Sequence, residues 1–159
     1  MVKKTLKRMF VPSAVFFLIA LAIVYPRMVN APTKLEEMAL RIGKASLVVE
    51  IADTRQAQSL GLSNRDFLGN DQGMLFRYSK SAMRSFWMKG MRFPIDVLWI
   101  LDGAVVGFNE NIPFQSDDGE IVRFASNAPS DAALEVNAGW IAEHGVEIGD
   151  LAVLDIVSN

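Results

Sequence analysis

The dipeptide Asp102-Gly103 stands between two apolar runs, Ile95 to Leu101 and Ala104 to Phe108. Asp-Gly flanked in this way is the strongest short-range signal for a two-residue β-hairpin, whose turn demands positive φ at both central residues. The first run is apolar at nearly every position, which predicts a strand covered on both faces. Pro94 can only begin that strand, because it has no amide to give to a ladder. The eighteen residues from Phe86 to Gly103 also hold Trp87, Lys89, Arg92, Asp96 and Trp99, so the chain's main strand signal and its densest chemistry coincide.

Around this hairpin the remaining signals are short. Met38 to Ile42 and Ala45 to Ala52 flank Gly43-Lys44 and predict a second hairpin. In its second strand Leu47, Val49 and Ile51 alternate with Val48 and Glu50, so one face is buried and the other partly wet. Asp53-Thr54-Arg55-Gln56 has the pattern of a capping box and predicts a helix of about two turns ending at Gly61. Leu62 to Gln72 reads as loop, Gly73 to Phe76 as a buried strand, and Arg77 to Ser81 as a polar turn. Met83 to Met88 is a strand, Lys89 to Pro94 a bend, and Asn109 to Asp118 a loop. Ile121 to Phe124 and Ala132 to Val136 are strands, separated by a loop carrying Pro129. Asn137 is a good N-cap for a short helix closed by Gly145, and Leu151 to Val157 is the last strand, entered through Gly149-Asp150. About eight short strands and two short helices, without an internal repeat, predict a mainly β fold, an antiparallel sandwich or barrel.

Charge divides the chain. Residues 1–31 carry five basic residues and no acid, leaving 11 basic against all 18 acidic residues and a net charge of −7 for the remainder. An acidic domain without a basic stripe repels phosphate backbones, so nucleic acid is not an expected partner. The absence of cysteine removes disulfides, thiolate catalysis and Cys-ligated zinc, and the single histidine, His144, cannot build a site needing two imidazoles. Neither metal nor cofactor is expected. No Gly-rich phosphate loop, nucleophile elbow or HExxH motif is present.

The first eight residues form a cationic tail, and residues 9–25 an uncharged apolar run that spans about 25 Å as a helix, the short end for a bilayer core of ~30 Å. Cleavage after Val29-Asn30-Ala31 would leave Pro32 at the new terminus, which favours an uncleaved signal-anchor over a removed signal peptide. Four positive charges before the run and one after it place the N-terminus in the cytoplasm. The expectation is a single-pass anchor in a bacterial inner membrane, a tether over residues 26–37, and one periplasmic β-rich domain over residues 38–159.

Several short motifs occur in one order: Gly61-Leu62 with Arg65, Asp71-x-Gly73-Met74-Leu75-Phe76, Phe86-Trp87-Met88-Lys89, Pro94-Ile95-Asp96, Leu134-Glu135-Val136-x-Ala138-Gly139, and Gly149-Asp150. Over residues 45 to 157 the chain resembles the bacterial and archaeal family catalogued as domain of unknown function 192. The resemblance implies a compact β-rich domain, often exported behind a signal sequence, with no established activity. Gly90 departs from the pattern, standing where the family usually has asparagine.

Trp87 and Lys89 share strand parity and face one way, with Phe86 and Met88 facing the other. They read either as a platform for a sugar or carboxylate, or as a sheet-edge shield with the Lys89 stem packed on the indole. Asp96 and Glu135 are carboxylates among apolar neighbours, which must be paired or protonated if buried. Arg65, Lys89 and Arg92 are the candidate partners of Asp96. If the two carboxylates meet, they match the pair of a glycoside hydrolase. Trp140 faces the sheet or a cleft, and His144 sits where an imidazolium favours the helix dipole. The favoured reading is a membrane-tethered binding module with a shallow site made by Trp87, Lys89, Arg92, Asp96, Glu135 and Trp140, open to a small polar ligand or a protein. The alternatives are an accessory subunit of a membrane protein complex and a carboxylate-based hydrolase.

Overall fold

The Asp102-Gly103 hairpin forms as its sequence predicts: Asp102 and Gly103 take φ of 50° and 76° and join β5 (Ile95–Leu101) to β6 (Ala104–Ile112). The computed structural model describes residues 34–155. The anchor, the cationic tail and most of the tether lie outside the described residues, and no described helix is long and apolar enough to cross a membrane.

The fold is mainly β with two short helices. The other strands are β1 (Glu37–Ile42), β2 (Ala45–Ala52), β3 (Gln72–Ala82), β4 (Ser85–Trp87), β7 (Arg123–Ala125), β8 (Ser130–Asn137) and β9 (Ala152–Asp155). The helices are α1 (Arg55–Leu60) and α2 (Trp140–His144). Seven strands form one sheet in the order β6-β5-β8-β3-β2-β1-β9, and β4 pairs with β7 in a separate two-stranded sheet. All pairings are antiparallel except β2 with β3.

The large sheet curls until its two edge strands touch. Ala104 bridges Leu151, and the amides of Val105, Gly149 and Ala152 bond the carbonyls of Asp150, Val105 and Gly103 at 2.8–2.9 Å. A curled single sheet, part of the way to a barrel, therefore replaces the sandwich alternative. Its two faces bury different residues. One face gathers Leu40, Leu47, Val49, Leu98, Leu134 and Val136 around Trp140 and Ile141 of α2. The other gathers Met74, Phe76, Val97, Trp99 and Ala133 under Leu62, Met88, Phe86 and Phe124. Strand β5 serves both, and Ile95 to Ile100 are all buried.

Four local expectations are corrected. Arg77 to Ser81 is not a turn but the second half of β3, an exposed and bulged extension that an apolar pattern cannot reveal. Asn109 to Ile112 continues β6 across a bulge opposite Asp96. The cap of α1 is Thr54, whose Oγ1 accepts from the Ala57 amide at 3.2 Å, so the cap lies one residue beyond the Asp53 of the capping-box reading. Asn137 does not cap α2. Its side-chain amide donates to the carbonyls of Leu68 and Gly69, 3.1 Å each, and α2 begins after Gly139 without a local side-chain cap.

Candidate functional site

The loop after α1 and the β4 strand stand over one face of the large sheet and leave a cleft of about 180 Å³ between them. The α1 side is fixed by Gln58, whose amide donates to the carbonyls of Ala52 at 3.2 Å and Arg77 at 2.7 Å, tying the helix to β2 and β3. At Gly61 the chain leaves the helix with φ 52° and ψ −137°, a region essentially closed to residues with a side chain. A Cβ there would lie 3.4 Å from Phe76 Cζ and 3.7 Å from Glu135 Oε2, inside the cleft. Replacing Gly61 with alanine should cost about 1–3 kcal/mol in strain and narrow the cleft. Urea denaturation of Gly61→Ala checks the first effect, and an unchanged midpoint would refute it.

Beyond Gly61, Leu62 is buried and Ser63 donates its hydroxyl to the Lys89 carbonyl at 2.8 Å. The Asn64 amide bonds the Gly90 carbonyl at 2.7 Å, so the loop is clamped to the Lys89–Pro94 bend. Gly90 has φ 73°, a left-handed position that glycine and asparagine both tolerate. Phe76, Tyr78, Phe86 and Trp87 bring rings to the cleft, with Glu135 at its base. Burial pushes the Tyr78 hydroxyl up to about 12, against a smaller opposing pull from Arg84, whose guanidinium lies 3.7 Å from the ring centre.

Glu135 is 6% exposed and its Oε2 is buried without a hydrogen-bond partner. Removal from water pushes its carboxyl up to about 8, and the positive charge of Arg65 only partly opposes this. Arg65 is already engaged: its two terminal nitrogens bond the two carboxylate oxygens of Glu50 at 2.5 and 2.7 Å. Strand register places Glu50, Met74 and Glu135 in one row across β2, β3 and β8, and Arg65 pairs directly with the first carboxylate of the row and not with the last.

The six residues singled out in the sequence do not form one site. Trp87, 46% exposed, and Glu135 share the cleft. The Lys89 side chain is exposed and makes no ion pair among the described residues, while its carbonyl serves Ser63. Arg92 pairs with Asp66 at the surface. Asp96 and Trp140 lie on the opposite face of the sheet. Val97 stands opposite Glu135 and Asp96 opposite Val136, and paired residues point the same way, so the two carboxylates point apart. The carboxylate pair of the hydrolase reading therefore does not exist.

None of the three cations expected for Asp96 reaches it. Fully buried, it accepts from the Asn111 amide at 2.7 Å and from the Ile141 amide at 3.1 Å. One oxygen thus holds the β6 bulge, and the other caps α2 from across the sheet. Trp140 is 3% exposed and stacks on His144, with ring centres 4.3 Å apart, so it offers no surface to a ligand. Phe76, Tyr78 and Phe86 were missed as lining residues. Only the motif containing Phe76 carried any signal for them, since strand parity set Phe86 on the face away from Trp87.

The family model for DUF192, described as uncharacterized ACR, matches residues 38–154, and the chain belongs to this family. A proposed transcription regulator from Sinorhizobium meliloti 1021 has a similar structure, with 29% identity, a TM-score of 0.70, and coverage of 78% of this chain and 98% of that one. A protein of unknown function from Novosphingobium aromaticivorans DSM 12444 is similar at 26% identity and a TM-score of 0.69, covering 77% of this chain and 89% of that one. No curated protein matches the chain.

Proposed function

We propose that the chain is a binding module whose described domain takes a small ligand in the Glu135 cleft, held outside the cytoplasmic membrane by the apolar segment 9–25. The observation that carries the first half is the buried carboxyl group at the floor of an aromatic-walled cleft, with one oxygen unpartnered. A buried polar atom left unpaired destabilises a fold by about 1–3 kcal/mol, and such sites persist where a ligand supplies the missing partner. Charge asymmetry and hydropathy of the first 31 residues support the second half.

Spectra recorded on the full chain during titration with a fragment library test the binding. Shifts concentrated at Gly61, Phe86, Trp87 and Glu135 are expected, and binders that perturb only the α2 face would overturn the reading. For the anchor, the mature N-terminus is expected to precede residue 9 and the protein to sediment with membranes. A mature chain starting at or near Pro32 would refute it. The accessory-subunit alternative draws support from Leu60, half exposed at the cleft rim beside Trp87. Purification in mild detergent is expected to recover the chain alone, and a stoichiometric membrane partner would favour that alternative.

A further inference from the structure

Glu135 is the only charged residue lining the cleft, and none of the lining residues is basic. An anionic ligand would meet a carboxyl group whose nearest cation, Arg65, is held bidentate on Glu50. The rest of the lining includes Phe76, Phe86 and Trp87 together with Met91. Aromatic faces attract cations, the more strongly as water is excluded.

We propose that the cleft takes a primary alkylammonium group, with its nitrogen on the carboxyl group of Glu135 and its methylenes against Phe76, Phe86 and Trp87. This rests on the reading of the cleft as a binding site. A primary ammonium supplies N–H donors to a carboxyl group, which a quaternary ammonium cannot do. The cleft, at about 180 Å³, has room for a short alkyl chain. The same chemistry is offered by a free small amine and by the side chain of a lysine in another protein.

Binding of a cation is coupled to ionisation of Glu135. The titratable and charged groups facing it are Arg65, with Glu50 behind it on β2, and Tyr78 on β3. The facing residues of α1, β4 and β5 are Gln58, Phe86, Trp87 and Val97, none of which titrates. With the carboxyl at about 8, roughly one molecule in ten is ionised at pH 7. Apparent affinity scales with the competent fraction, so ammonium binding should tighten about tenfold between pH 7 and pH 9. A neutral ligand that accepts a hydrogen bond from the protonated acid should weaken over the same interval.

Calorimetric titration of the full chain with n-butylammonium, 1-butanol and butyrate at pH 7 and pH 9 decides the matter. The expected result is binding of n-butylammonium that strengthens about tenfold with pH and releases a proton at pH 7. In Glu135→Gln the affinity should be lost or fall at least tenfold, with the circular dichroism spectrum retained. Comparable binding of Nα-acetyl-lysine methylamide would assign the source to a protein lysine, and its exclusion would assign a free amine; either supports the inference. Tighter binding of 1-butanol or butyrate would overturn the ammonium assignment while leaving the cleft a binding site. No binding of any of the three, with no change in Trp87 resonances, would overturn both.

Discussion

Asp96→Ala should lower the stability of the domain by about 3–6 kcal/mol, since hydrogen bonds to a charged acceptor contribute about 1.5–3 kcal/mol each and this carboxylate accepts two. The Asn111 amide sits at a bulge with φ 52°, where no ladder partner faces it, and the Ile141 amide is in the first turn of a helix with no local cap. Both amides lose their acceptor together. Asp96→Asn keeps one carbonyl oxygen but turns an NH₂ group toward the other amide, so roughly half of the loss should remain. Urea titration followed by circular dichroism measures the change as a fall in midpoint at constant slope. A loss below about 1 kcal/mol for Asp96→Ala would mean that water replaces the carboxylate at both amides. Small domains are stable by about 5–15 kcal/mol in total, so this substitution removes a large part of the margin.

The domain should also become less stable as pH rises from 5 to 8, the reverse of the usual behaviour of a carboxylate. Glu135 titrates near 8 in the folded chain and near 4.5 when exposed in the unfolded one. Between these values the folded state holds a proton that the unfolded state has released. Stability then falls with pH by up to about 1.4 kcal/mol per unit, is full below the unfolded value, and levels off above the folded one. Asp118 and Asp155 are shifted down by a hydrogen bond from Ser116 and by Arg41, respectively, so their contributions are lost in acid, below this window. Glu135→Gln removes the titrating proton and should flatten the profile between pH 5 and 8. Thermal denaturation across that range distinguishes the two proteins, and parallel profiles would place the Glu135 carboxyl at an ordinary value in the fold.

The parts of the fold legible in sequence were those in which local chemistry and burial agree. Asp102-Gly103, Gly43-Lys44, Gly61 and Gly145 all turn the chain where their residue types require, and the alternation in β2 and the continuous apolar run of β5 match their burial. The extensions of β3 and β6 were illegible because their exposed residues pair through backbone atoms, which leave no side-chain pattern. The site was half legible. Glu135 stood out as a carboxylate among apolar neighbours, whereas strand parity set Trp87 with Lys89 and apart from Phe86, and the cleft is lined by Phe86 and Trp87 and not by Lys89. The separation of Glu135 from Asp96 is a matter of register between β5 and β8, and register between distant strands is not written in either strand alone. The partner of Arg65 was hidden for the same reason, since Glu50 lies on a strand that the sequence showed only as partly wet.

Strand β1 has a mechanical consequence. The chain enters the domain through it, and it is not an edge strand: six residue pairs join it to β2 and four to β9. Any tension arriving along the preceding segment therefore acts in shear on ladders at both flanks, which yield together rather than one bond at a time. A domain attached by an outer strand would peel open under the same pull.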